Sequence, residues 1–292
     1  MGRVNEHSTS GAGAPMTDTQ PVMTTSSGSA GRLRGSATDA FQGLADWRVW
    51  TFLGWRDVAN RYQRSFIGPL WLTITTAIFL AAIGVVYSRL FGQDVSTYLP
   101  YLASGVIAWL AFAALLTEMS TAFTSSIHFV LNLPGPKSVY LFRVLLRNMI
   151  VLAHNIPVWI VVVILFDVPT TATTLLVIPG LVISFGALFF TGAALAVVSA
   201  KVRDTPVILA SVLQVLFFVT PVMWSPELLG DGSRFVLNLN PLVPLLDVVR
   251  QPLLGQVPSS ETYLAATFAL GASALIGVLA FVRYRRRLAF WL

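Results

Sequence analysis

LWLTITTAIFLAAIGVVYSRLF, Leu70–Phe91, decides what kind of protein this is. Its one charge, Arg89, stands at the far end. A helix rises about 1.5 Å per residue, so roughly 20 apolar residues cover the ~30 Å hydrocarbon layer of a bilayer. A surface helix of a soluble domain keeps a polar face for water, and this stretch has none. It reads as a membrane span.

The pattern recurs at roughly Leu99–Phe123, Leu141–Phe166, Thr173–Ala200, Pro206–Trp224 and Thr262–Val282. The whole chain agrees. Of its 292 residues 55% are hydrophobic and 11% charged, where a soluble domain carries about 25% charged. The expected fold is an all-α membrane protein with six transmembrane helices over residues 70–282. The net charge of +6 forms no single patch, so nucleic acid is not an expected partner. With no cysteine, disulfides, thiolate metal sites and cysteine nucleophiles are excluded.

Residues 1–38 are rich in Ser, Thr, Gly and Ala and are expected to be a disordered extension. They lack the apolar core of a secretory signal, so the internal spans are expected to direct insertion. In Asp39–Gly54, the residues Phe41, Leu44, Trp47, Val49 and Trp50 alternate with polar ones. That suits a helix lying in the headgroup layer, with 39–69 as an amphipathic connecting segment. Sixteen of the nineteen Lys and Arg fall in the N-terminal segment, the second and fourth connections with their flanks, and the basic tail 283–292. The positive-inside rule then places both termini in the cytoplasm. Between spans five and six, the apolar stretch Phe235–Leu254 is broken by Asn238, Asn240, Pro241, Pro244, Asp247 and Arg250. Broken backbone at membrane depth survives only inside protein or along a wet cavity. The expectation is a pair of short re-entrant helices on the outer side, with Asn240, Pro241 and Arg250 at an outer gate.

No phosphate loop, GxSxG elbow or HExxH motif occurs, so no catalytic residue, metal site or ATP site is expected in this chain. Three groups of residues invite a role. Glu118 lies in the second span, and Arg143, Arg147 and His154 share one face of the third. We expect Glu118 to pair with Arg61 or Arg64, and the two arginines of the third span to snorkel to the headgroups; a proton relay through Glu118 and His154 is the other reading. Aromatics recur at Phe79, Tyr87, Tyr98, Tyr101, Trp109, Phe112, Phe217, Phe218 and Trp224. Tyr87, Tyr98, Tyr101 and Trp224 suit an interfacial belt. The sharper reading has Phe79, Tyr87, Trp109, Phe112, Phe217, Phe218 and Trp224 lining a pathway, where ring faces meet the C–H faces of sugars. The connection Thr124–Tyr140 is apolar and stopped by Pro134 and Pro136. It either dips into the headgroups or seats on a partner through Ile127, Phe129, Leu131, Pro134, Lys137 and Ser138.

Several motifs together resemble type-2 ABC permeases that export O-antigen and teichoic-acid polymers. They are Arg61–Trp71 (RYQRSFIGPLW), Arg147-Asn148 with His154-Asn155, Arg203-Asp204 followed by Leu213-Gln214, Thr220-Pro221-Val222-Met223-Trp224, and Asn240-Pro241 through Arg250-Gln251-Pro252-Leu253-Leu254. They stand in the family's order over about residues 40–292. The long N-terminal extension departs from compact members and leaves room for an actinobacterial cell-wall galactan exporter. The resemblance implies a homodimer in the cell membrane with two nucleotide-binding ATPase subunits that hold ATP and Mg. Its substrate would be a lipid-linked polysaccharide, moved when ATP closure pushes on the Thr124–Tyr140 connection and the amphipathic helix. Rival readings are an ABC exporter of a lipid or small molecule, an ion-coupled secondary transporter and a membrane-embedded transferase. No internal repeat of the transporter kind is visible between the two sets of three spans, and the clustered carboxylates or histidines that a transferase needs are absent.

Overall fold

The computed structural model describes Gly2 and residues 29–63, 67–68, 70–133, 135–228 and 234–292, which contain no strand. The helices, in chain order, are α1 (Ser29–Ala45), α2 (Trp47–Tyr62), α3 (Leu70–Leu90), α4 (Val95–Ser120), α5 (Ile127–Asn132) and α6 (Ser138–Leu165). Then come α7 (Val177–Lys201), α8 (Thr205–Val219), α9 (Arg234–Leu239), α10 (Leu242–Leu253), α11 (Ser260–Tyr284) and α12 (Leu288–Trp291). The fold is the expected all-α membrane type.

Among the described residues, five helices are long and apolar enough to span: α3, α4, α6, α7 with its 3-10 lead-in from Ala172, and α11 continued to Trp291. The expected fifth span differs. Helix α8 has only 15 residues, about 22 Å at ~1.5 Å per residue, too short to cross alone. It stops at Val219 because Pro221 lacks a backbone N–H and Thr220 is extended, with ψ of 137°. Two short helices, α9 and α10, occupy the expected stretch and are broken at Asn240-Pro241. Another boundary moved as well. Helix α1 begins at Ser29, inside the segment expected to be disordered, and Asp46 separates it from α2.

Helix α4 is the axis of the bundle. Its apolar window is 72% buried, against 17% for that of α3, and it touches α3, α6, α7, α8 and α10. Its start is capped by Asp94, whose carboxylate accepts from the Ser96 amide at 2.8 Å and the Ser96 hydroxyl at 2.7 Å. These bonds hold the Asp94 carboxyl below its ordinary value. Small residues let neighbours close in without lipid-like filler. Gly277 of α11 faces the Phe190 backbone of α7, and Gly180 of α7 faces the Val248 carbonyl of α10. Helix α10 ends in a Schellman turn: the Gln256 amide bonds the Gln251 carbonyl and Gly255 takes φ of +74°. Helices α1, α2, α5 and α12 gather at one end of the bundle, and α10 packs near the start of α4 at the other.

Candidate functional site

Two polar sites lie on α4, separated by the 17 residues from Tyr101 to Glu118, about 26 Å along the helix. The first is a charged cluster joining α2, α4 and α6. The Glu118 carboxylate accepts from Arg61 of α2 at 2.9 Å, from Arg147 of α6 at 2.8 Å and from the Asn148 amide at 2.7 Å. Asp57 of α2 takes a two-pronged bond from Arg143, both prongs 2.6 Å, and a third contact from Arg147 at 3.2 Å. Arg147 therefore bridges both carboxylates.

The expected Glu118–Arg61 pair is present, while Arg64 lies outside the described residues. The expected snorkelling of Arg143 and Arg147 is corrected. Both are mostly buried and spend their charge on Asp57 and Glu118, because a carboxylate within reach is a better partner than a distant headgroup. Sequence reading missed Asp57, whose only signal was an acid inside an apolar, basic segment. His154 joins none of this: its Nδ1 meets the Ile150 carbonyl of its own helix at 2.7 Å.

Next to the cluster stands α5. Val130 is buried, while Phe129, Leu131 and Leu133 are about half exposed. The residue before it, Ser126, is buried and accepts from Arg143 at 3.4 Å, so α5 is tied to the cluster. Beyond it, the start of α6 is capped from another helix. The Asp39 carboxylate of α1 accepts from the Lys137 and Ser138 amides, both at 3.0 Å, and from Arg285 at 2.6 Å. Ser138 returns its hydroxyl to the Asp39 carbonyl at 2.8 Å. Partial burial pushes the Lys137 amine below its ordinary value; Arg285 adds to this and Asp39 opposes it. Of the expected partner-facing residues, Phe129 and Leu131 are exposed and Ile127 is partly so. Ser138 is covered by α1, which corrects its expected place on a docking surface. Pro134 lies outside the described residues.

The second site clasps the irregular segment Thr220–Trp224 that follows α8. Tyr98 donates to the Met223 carbonyl at 2.7 Å, and the Tyr101 hydroxyl is shared between the carbonyls of Trp224 at 2.9 Å and Pro221 at 3.2 Å. Arg250 of α10 is 3% exposed. It donates to the Pro221 carbonyl and to the Tyr101 oxygen, each at 2.5 Å, and its guanidinium lies 4.4 Å from the Tyr101 ring centre. Asn240 donates to the Thr220 hydroxyl at 2.8 Å and accepts from the Leu242 amide at 3.0 Å, which starts α10. Only glycine fits at 105: a methyl group there would stand 2.6 Å from the Val222 oxygen. The expected belt positions of Tyr98 and Tyr101 are thus corrected; both hydroxyls turn inward to carbonyls with no helical partner. Trp224 likewise bonds the Phe218 carbonyl at 2.9 Å.

The expected pathway aromatics divide by burial. Phe112 is 1% exposed, edge-on to Phe185 of α7, and Trp109 is 5% exposed with its ring 5.8 Å from Phe217. These two are enclosed within the chain, which corrects their placement along open space. Tyr87 is half-buried against Phe91, whereas Phe79 and Phe218 are exposed on α3 and α8.

The family described as "ABC-2 type transporter" matches residues 48–254. Two proteins named "O-antigen export system permease protein RfbA", both from Klebsiella pneumoniae, are each 21% identical to this chain. They cover 65% and 80% of it, and 74% and 91% of their own lengths. A protein of the same name from Myxococcus xanthus is 23% identical over 65% of this chain and 74% of its own length.

Proposed function

The chain belongs to the ABC-2 type transporter family, and from that premise we propose that it is the permease subunit of an exporter moving a lipid-linked polysaccharide across the cell membrane. Membership makes it a multi-pass membrane subunit of an ABC transporter that works with an ATPase subunit. In our reading, two copies of this chain and two ATPase subunits form the complex, ATP and Mg belong to the ATPase, and both termini face the cytoplasm. The polysaccharide class comes from the names of the three relatives, one of them covered over 91% of its length. Family membership sets aside the secondary-transporter and transferase readings.

The observation that carries the mechanism is the tie between α5 and the charged cluster. An ATPase cleft closing on the exposed Phe129 and Leu131 would push α5 toward the bundle. Ser126 passes the push to Arg143, Arg143 to Asp57 of α2, and Arg147 to Glu118 of α4. Helices α2, α4 and α6 would then tilt together, because charge-assisted bonds hold orientation as well as distance. Glu118 serves in this as a structural partner, since three donors already occupy it.

Replacing both Phe129 and Leu131 with Asp tests the coupling. Surface changes away from buried features alter stability by about 0.5 kcal/mol or less, so the bundle should insert and fold normally. ATP hydrolysis by the reconstituted complex should no longer drive polymer export. Normal export by the double variant, with the ATPase still bound, would overturn the assignment. Stimulation of the ATPase by a lipid or drug, and not by the glycolipid, would replace polysaccharide with a small-molecule substrate.

A further inference from the structure

A cavity of about 490 Å³ opens between α1, α6, α7 and α11, at the bundle end that carries α2. Its size falls within the roughly 300–1,000 Å³ of sites that hold a discrete ligand. Phe142, Phe189, Phe190 and Phe281 form much of its wall, and the lining is almost wholly apolar. The roof is α1, whose Ala37 and Ala40 line the cavity. Apolar walls alone would name no occupant, but charge stands around this one. Among the described residues, Arg34 is the single charged one in the lining, and it is exposed. Arg285 lies against the same stretch of α1, bonded to Asp39 and close to Gly35. Lys137 stands at the Asp39 clasp beside Ser138, another lining residue. Arg34, Arg285 and Lys137 thus stand around the cavity near a single carboxylate, Asp39, which is already held by two backbone amides and Arg285.

We propose that this cavity binds one acyl chain of an anionic bilayer phospholipid, with the headgroup phosphate held by Arg34 near Arg285 and Lys137. Hydrocarbon inside and surplus positive charge outside match that molecule at both ends, and basic pockets between membrane helices select anionic headgroups. The bound chain would fill the gap beneath α1, making the seating of α1 on α6 and α11 depend on lipid. The site is separate from the charged cluster and from the carbonyl clasp.

The experiment uses the full chain in nanodiscs of palmitoyl-oleoyl phosphatidylglycerol and phosphatidylcholine at equal amounts. Lipids still bound after detergent extraction are counted by native mass spectrometry. Wild type should retain phosphatidylglycerol about fivefold over phosphatidylcholine, the preference that one basic residue near the surface supplies. Arg34→Gln should bring the ratio toward one with the total retained unchanged. Ala40→Trp, which puts a ring into the cavity from the exposed helix, should lower both lipids. Arg34→Gln alters little packing, so it carries the test even if Ala40→Trp fails to assemble. An unchanged ratio in Arg34→Gln overturns the proposal. Displacement of phosphatidylglycerol by trace polyprenyl phosphate also overturns it, and would give the cavity to the transport substrate instead.

Discussion

The two polar sites on α4 solve different problems with different bonds. At one end Glu118, Asp57, Arg143 and Arg147 join three helices that are each complete, through side chains that carry opposite charge. At the other, Tyr98, Tyr101, Arg250 and Asn240 serve a backbone that has left the helix, and their acceptors are mostly carbonyls. Loss of a charge pair leaves the helices intact and frees them to tilt. Loss of a carbonyl partner leaves peptide groups unsatisfied where no water replaces the bond. The first site is therefore suited to movement and the second to holding still.

That contrast predicts the largest effect at Arg250. Arg250→Ala strips the Pro221 carbonyl and the Tyr101 oxygen of buried, charge-assisted bonds, at a cost of about 3 kcal/mol. Arg250→Lys should recover little, because an ammonium lacks the planar fork that reaches two oxygens while lying on the Tyr101 ring. Thermal unfolding in detergent measures both. If the lysine variant melts like wild type, charge alone suffices at this end and the distinction between the sites collapses.

Smaller, and reversible by design, is the effect at the charged cluster. Glu118→Gln leaves Arg147 and Arg61 facing a neutral group, which should lower stability by about 2 kcal/mol, less than for a fully buried pair. Adding Arg147→Gln should restore part of the loss, since Asp57 keeps its two-pronged bond from Arg143. Unfolding midpoints of the single and double variants form the test. A double variant weaker than the sum of the two singles would make Arg147 the keystone of the cluster rather than one of two exchangeable partners. Export that requires a proton gradient, and is lost in Glu118→Gln at full folding, would revive the relay reading.

How far each site could be read in the sequence follows from the same chemistry. Glu118 stood out because a carboxylate in an apolar run needs a cation, and the basic entry segment offered Arg61, though 57 positions away. The Arg143–Asp57 pair joins residues 86 positions apart, and nothing in a period of 3.6 or in local composition links them. The clasp was less visible still. Its acceptors are backbone oxygens, which every residue has, so Tyr98 and Tyr101 carried the same signature as an interfacial belt. The Asn240-Pro241 break was legible because proline and asparagine interrupt an apolar run. Helix α1 was hidden by its Ser, Gly and Ala content; its Asp39 caps α6 and holds Arg285, a tertiary role with no local marker.

The smallest expected change in stability, and the sharpest test of the contrast, is at Phe218. Its carbonyl belongs to the clasp through the Trp224 indole, yet its ring is 61% exposed on α8. The backbone role survives any side chain, so Phe218→Leu should shift stability by about 0.5 kcal/mol or less. Phe112→Leu, at a ring enclosed against Phe185, should cost about 1 kcal/mol or more through lost volume and ring contact. If exposed rings on α3 and α8 meet the sugar, export should respond in the opposite order. A Phe217→Leu/Phe218→Leu double variant should slow polymer export per folded molecule, beyond any loss of packing between Phe217 and Trp109, because a leucine offers no ring face to a sugar, and tyrosine or tryptophan at 218 should restore it. Phe112→Leu should leave the rate per folded molecule unchanged. Normal export by the Leu/Leu variant would make these rings packing and lipid contacts only, and would leave the pathway to be sought on other faces of the bundle.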